Sequence, residues 1–297
     1  MRFKLLICLL GFLEILPQVH GEKLRWDWRA GDVYDVTLKS NVDIHVTTAG
    51  QRLHYVNQFE VNGKWAVEEV NSSHIARIHW SVQRIQLASG QGDNRLQVDT
   101  DVAAGNEDEE TVLAALQPLL RKRFELLVND QARLSVVKEM RPSSGADRRT
   151  SPKPDAQAKV VSAVFNSEGV AGAFKHVFIE FPFNDVRSGA QWKKQHPLNT
   201  PEPADKIEYE YQGKTTEHHR IAIQGEVEFS QDPDQTVKVK QQSLKGMALL
   251  SLKDPQITKV QLDLQLETES DGQQGAEGKT KVIHRETDVI EIKKRLR

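Results

Sequence analysis

The segment Val260-Gln261-Leu262-Asp263-Leu264-Gln265-Leu266 alternates apolar and polar residues without a break. A period of two puts every second side chain on one face of an extended chain, so this pattern dictates a strand with one face on a core and the other in water. The same period recurs elsewhere. Leu53, Tyr55, Phe59 and Val61 alternate with polar partners, as do Ile78, Trp80 and Val82, then Ile207, Tyr209 and Tyr211, then Ile221, Ile223, Val227 and Phe229. Val282 to Ile292 reads as the last strand. Strands with one wet face belong to antiparallel sheets, not to parallel sheets covered by helices on both sides.

Breaks in the period place the turns. Ile85 and Leu87 fall out of phase with Ile78 to Val82, which predicts a bulge near Gln83-Arg84. Thr48-Ala49-Gly50-Gln51 reads as a turn, and Asn62-Gly63 as a hairpin turn with Trp65 and Val67 opening the return strand. Trp26 and Trp28 lie on one side of an extended segment that ends in a turn at Gly31-Asp32. Ala30-Gly31-Asp32-Val33-Tyr34 and Ser188-Gly189-Ala190-Gln191-Trp192 share a G-x-x-aromatic turn, a short echo in keeping with two similar halves.

The middle of the chain changes character. Asn106 and Glu109 form a capping box ahead of Val112, Leu113, Leu116, Leu119 and Leu120 at helical spacing. Pro118 inside that run predicts a kink or a helix in two pieces. After Phe124, two short strands meet at Asn129-Asp130. Residues 141–154 are rich in Pro, Ser and charge and read as a linker. Asp155 can cap a helix carrying Val160, Val161, Val164 and Phe165; Ser167 can cap another, with Val170, Phe174, Val177, Phe178 and Phe181 on one stripe ending at Pro182. The expected fold is therefore α+β: curved antiparallel sheets, with two or three helices from the middle of the chain packed on the concave side. The expected divisions are a signal peptide over 1–21, a β-rich half with one helix over 22–140, the linker over 141–154, and helices followed by an antiparallel sheet over 155–297.

The export signal has three parts in order: Arg2 and Lys4, the apolar run Leu5 to Leu13, and Val19-His20-Gly21 before a cleavage point. Glu14 and Pro17 cut the apolar run too short for a transmembrane helix, and no later segment could span a membrane as a helix. Cys8 is the single cysteine and leaves with the signal, so the mature protein is expected to lack disulfide and thiol chemistry. Removing Arg2, Lys4 and Glu14 leaves 38 basic against 41 acidic residues, a net charge of −3 with both signs interspersed. Nucleic-acid binding needs positive charge concentrated on one surface, and it is not expected here. An exported chain of this size without cystine points to a periplasmic or secreted product of the bacterial envelope.

Catalytic signatures are missing. The sequence contains no H-E-x-x-H, no G-x-S-x-G elbow and no Gly-rich phosphate loop. The ten histidines show no metal-ligand spacing; His45, His54, His74 and His79 fall on neighbouring strands, but no convergence, no metal and no cofactor are expected. The aromatic residues Trp26, Trp28, Trp65, Trp80, Trp192, Tyr209 and Tyr211 are the candidates for lining an apolar groove. Large aromatics more often fill a core than touch a ligand.

Several of these features together resemble an uncharacterised family of exported bacterial proteins, a domain of unknown function of planctomycete type. The resemblance rests on Leu24 to Tyr34 (L-R-W-x-W-x-x-G-D-x-Y), on the strand pair Phe124 to Val137, on the turn Pro182 to Trp192, and on the Tyr-rich strand Ile207 to Tyr211. Ala190 stands where such members often carry Asp. It implies a curved antiparallel sheet similar to lipoprotein-carrier folds, and no catalytic residues.

Three functions follow in order of preference. The first is non-enzymatic binding of an apolar small molecule or lipid in the envelope. The second is a structural module that docks an envelope protein through strand edges or the linker. The third is a hydrolase built on converging His and Asp residues.

Overall fold

The two halves of the chain meet in one sheet. The first half supplies β1 (Val33–Thr48), β2 (Gln51–Val70), β3 (Ala76–Gln91), β4 (Asn94–Asp99), β5 (Arg123–Val128) and β6 (Leu134–Met140). The second supplies β7 (Gln191–Lys193), β8 (Lys206–Lys214), β9 (His218–Glu226), β10 (Val237–Ser251), β11 (Ile257–Ser270) and β12 (Thr280–Lys294). Their order across the sheet is β6-β5-β3-β2-β1-β12-β11-β10-β9-β8-β7, and β4 pairs with the far end of β3. Every pairing is antiparallel. The computed structural model describes residues 21–91, 94–140, 170, 174, 177–193, 206–226, 237–270 and 279–295, and the statements that follow concern those residues.

The α+β expectation is overturned: strands dominate, and helices do not pack on the sheet in twos or threes. The one α-helix traced whole among the described residues, α1 (Glu107–Leu116), packs on the edge strand β4 and on the 3-10 turn Gln117–Arg121. Its start is as the sequence predicts. Asn106 Oδ1 accepts from the Glu109 amide at 2.9 Å, while Glu109 reaches back to the Gly105 amide at 2.6 Å. Pro118 breaks the helix into its two pieces. The linker 141–154 and the helix drawn from Asp155 to Phe165 lie outside the described residues. Val170 and Phe174 are helical and buried, yet from Val177 the chain leaves the helix. Val177, Phe178 and Ile179 are all buried, so this segment is enclosed all round, and that favours an irregular path over a one-sided stripe.

The expected bulge is present: Gly63 pairs with Val82 and Asn62 with Arg84, which leaves Gln83 extra on β3. Asn62-Gly63 is not a turn. Both lie inside β2, which runs unbroken for 20 residues. The glycine is there for space, since a Cβ on Gly63 would lie 2.0 Å from Cη2 of Trp80. The β1–β2 hairpin turns instead at Ala49 (φ 48°) and Gly50 (φ 78°), both left-handed as a type I′ turn requires.

A plug fills one end of the sheet. Consecutive amides of the N-terminal segment bond to opposite wings: Trp26 N–H donates to Asp130 O between β5 and β6 at 2.7 Å, and Asp27 N–H to Pro255 O between β10 and β11 at 3.0 Å. Flat, the wings from β5 to β11 would lie about 24 Å apart at the usual strand spacing. The sheet therefore curls around residues 22–32 and 177–186, which are tied to each other through Glu22 and Val186. Trp26 and Trp28 stack at 4.4 Å, Trp65 stacks on Phe178 at 5.3 Å, and Phe174 meets Trp80 edge-on at 5.2 Å.

The echoed turns match bond for bond. Gly31 (φ 82°) donates to Val67 O and Asp32 accepts from the Val67 amide; Gly189 (φ 85°) donates to Tyr211 O and Ala190 accepts from the Tyr211 amide. Tyr34 then pairs with Trp65 as Trp192 pairs with Tyr209. The chemistry at the two turns differs: Asp32 holds Lys294 Nζ at 2.7 Å and Tyr34 Oη at 3.2 Å, and Ala190 can hold neither.

Candidate functional site

Register sorts the inner face of the sheet, the face that carries the plug, into rows running across the strands. Nearest the plug, Val36 and Ile292 share one row, and Leu38, Val61, Ile85, Ile290 and Val260 share the next. These rows are apolar and, apart from half-buried Leu38, fully buried. Further out the same face becomes polar along β12 and at Ser40 of β1. Ser40 stands opposite Asp288, Val42 opposite Glu286, and Ile44 opposite His284. Beside and beyond that belt the face is apolar and half-exposed: Ile44 pairs with Tyr55, itself 36% exposed, in the row of His284 and Leu266, and further out Val46 pairs with Leu53 and Val282. The outer face of the same strands is polar throughout β11, from Lys259 to Glu269 at every second position.

The polar belt is a set of groups in contact with one another. Ser40 Oγ donates to Glu286 Oε1 at 3.2 Å, and His284 Nε2 lies 3.0 Å from Glu286 Oε2. The hydrogen bond from His284 holds the Glu286 carboxyl below the usual carboxylate range, against the burial that opposes it. Asp288 goes the other way. Burial, and then the charge of Glu286 beside it, push its carboxyl up to about 6. Of the pair, Asp288 is therefore the one that holds a proton, below about pH 6. Ser40 gives its hydroxyl proton to a carboxylate and not to a histidine, so the belt is not arranged as a nucleophile with its base. It can accept hydrogen bonds from, or pair with, a polar group that arrives along the apolar row. In the row of Leu266 and His284, Gln242 Oε1 is buried without a partner.

The structure places the aromatic candidates elsewhere. Trp26, Trp28, Trp65, Trp80, Tyr209 and Tyr211 are buried in the core around the plug, and Trp192 is half-buried with its Nε1 donating to Glu180 O at 2.8 Å. The sequence reading passed over the polar belt, although it carried a signal. His284, Glu286 and Asp288 occupy the phase of Val282, Ile290 and Ile292, where a core-facing strand should be apolar. Of the histidines, His219 is buried rather than at the surface; its Nδ1 sits 2.8 Å from Tyr211 Oη, and burial lowers its pKa. His79 pairs with Glu68 at 3.1 Å. His45 and His54 do converge, because they are cross-strand partners. A turn centred between Ala49 and Gly50 sets that register, so both halves of the clue were in the sequence. Asp99 is tied to Arg84, which holds its carboxyl well below the usual range.

A further hollow of about 540 Å³ lies over β1 to β4. It is lined by Lys39, Gln58, Glu60, Gln86 and Asp99 and closed by Leu113 of α1. Its lining is half polar side chains and half apolar ones, with Phe59, Leu87, Val98 and Val102 beside Leu113.

A model of the family of unknown function (DUF6263) matches residues 73–266. No curated protein matches the chain. Among solved structures, one of lipovitellin that describes its lipid–protein interactions is 9% identical, with a TM-score of 0.48 over 90% of this chain and 26% of that one. The chain thus spans about a quarter of lipovitellin. An outer membrane channel of Pseudomonas putida F1 is 8% identical (TM-score 0.26, 90% of this chain and 97% of that one). A DUF1329 family protein of Desulfovibrio piger ATCC 29098 is 10% identical (TM-score 0.16, 86% and 83%). All three TM-scores are too low to establish a shared fold. No helix among the described residues is long and apolar enough to cross a membrane.

Proposed function

The chain belongs to the family of unknown function DUF6263, and from that premise we propose that it is an exported protein that holds an apolar ligand on the inner face of the open end of its sheet. One observation carries the reading: the apolar inner face runs on past the plug. Val42, Ile44, Val46, Leu53, Tyr55, Leu264, Leu266 and Val282 share that face and stay half-buried or exposed, where a sheet meant only to enclose its core would turn polar. The belt of Ser40, Glu286 and Asp288 supplies acceptors for a polar end of the same molecule. Export rests on the basic, apolar and small-residue order of residues 1–21.

The test uses the full chain and the fluorescent probe 8-anilinonaphthalene-1-sulfonate. Wild type should bind it saturably, Ile44→Glu should abolish that binding, and Thr47→Glu on the outer face should leave it intact. Equal binding by all three, or none by wild type, refutes the proposal. Mass analysis of the released product should show a chain beginning at Glu22; an uncleaved product would contradict export.

A further inference from the structure

We propose that Asp43, His45 and His54 form a binding site for a divalent first-row transition ion of the zinc class, on the outer face of the β1–β2 hairpin. His45 and His54 are directly opposed in the ladder, and their rings lie parallel with centroids 4.3 Å apart. Asp43, two residues before His45 on β1, projects from the same face. Among the described residues this is the one group whose ligand atoms gather in this way, all within 4.8 Å of one another.

The carboxylate shows how closely the three groups approach. The Asp43 side chain is 42% exposed, but its Oδ1 is covered, with the His45 and His54 Nε2 atoms at 2.8 and 3.2 Å. Asp43 Oδ1 makes no hydrogen bond and faces both imidazole nitrogens at ion-pair distance. Two imidazole nitrogens and one carboxylate oxygen within 4.8 Å of one another are a donor set that zinc takes at about 2.0–2.2 Å. Imidazole and carboxylate ligands suit zinc, copper and nickel, and three protein ligands leave further positions open to water or a second molecule.

The location suggests what the ion does. The hairpin tip extends past the plug, and its inner face is the half-exposed apolar row. An ion held by β1 and β2 would pin these strands in register on the outer face while the inner face stays free. The site is separate from the apolar row, so each can fail without the other.

The test is calorimetric titration of the full chain with zinc chloride. One saturable equivalent is expected, with affinity falling more than about tenfold in His54→Ala and in His45→Ala. Asp43→Asn should weaken binding while its circular dichroism stays that of wild type. His54→Gln serves if the alanine variants do not fold. Zinc should move the imidazole nitrogen resonances of two histidines and slow hydrogen exchange at the hairpin tip. Binding that is absent in wild type, that persists unchanged in the histidine variants, or that moves the resonance of His284 instead overturns the proposal. Probe binding to the apolar row should be unaffected by any of these variants.

Discussion

Tyr34 and Tyr55 stand on the same face of neighbouring strands, yet one is 2% exposed and the other 36%. The difference is the cover. Around Tyr34 the sheet closes on Leu24, Trp26, Trp28 and the segment 177–186; around Tyr55 the same alternation continues with nothing described above it. The two ends of this sheet therefore teach that periodicity specifies which side chains share a face but not what the face meets. Stability should reside at the plugged end, and binding at the open one.

Substitutions can sharpen that contrast. The largest effect should come from Trp65→Ala, which empties a fully buried site among Trp26, Phe174 and Phe178 and should cost about 3–5 kcal/mol in denaturant unfolding. Ile44→Ala at the open end should cost about 1 kcal/mol or less; equal costs would dissolve the distinction. Next, Gly63→Ala should lose about 1–3 kcal/mol, because the added methyl meets the Trp80 indole and Ser81 O. Between the two ends, Asp288 should report through pH. Burial raises its carboxyl from the ordinary aspartate range to about 6, so the fold prefers it protonated, and that preference is lost as pH rises through about 6. Asp288→Asn should therefore stabilise the protein at pH 7.5 by about 1–2 kcal/mol, allowing for the water that reaches a half-buried group, and should do nothing at pH 3.5. Glu286, held low, contributes in the opposite sense, losing its contribution as pH falls below 4.5, so only the difference between wild type and variant isolates Asp288. Smallest of all, Ala49→Gly at the open tip relieves a left-handed backbone and should gain about 1 kcal/mol.

Strand positions were legible because alternation is a local property, and so were the Gln83 bulge, the capped helix start and the Pro118 break. What failed was whatever depended on a distant neighbour. Asn62-Gly63 carried hairpin chemistry, but its glycine answers to Trp80 across the ladder. The stripe from Val170 to Phe181 was read as a helix on a sheet; its residues do reach the core, but surrounded on all sides. The convergence of Asp43, His45 and His54 depended on register between two strands, and the polar belt on noticing charge in an apolar phase. The matched turns at Gly31 and Gly189 were visible as five-residue echoes, and only the bonding pattern shows them to be one device used twice.

The open apolar row is tested most directly by photocrosslinking the full chain with a diazirine-bearing fatty acid and mapping the adducts by peptide mass. Adducts confined to the inner-face positions of 42–46, 53–55, 264–266 and 282–284 are what this structure predicts. Adducts on residues 22–32 and 177–186, adducts spread over the outer face, or none at all, would contradict it.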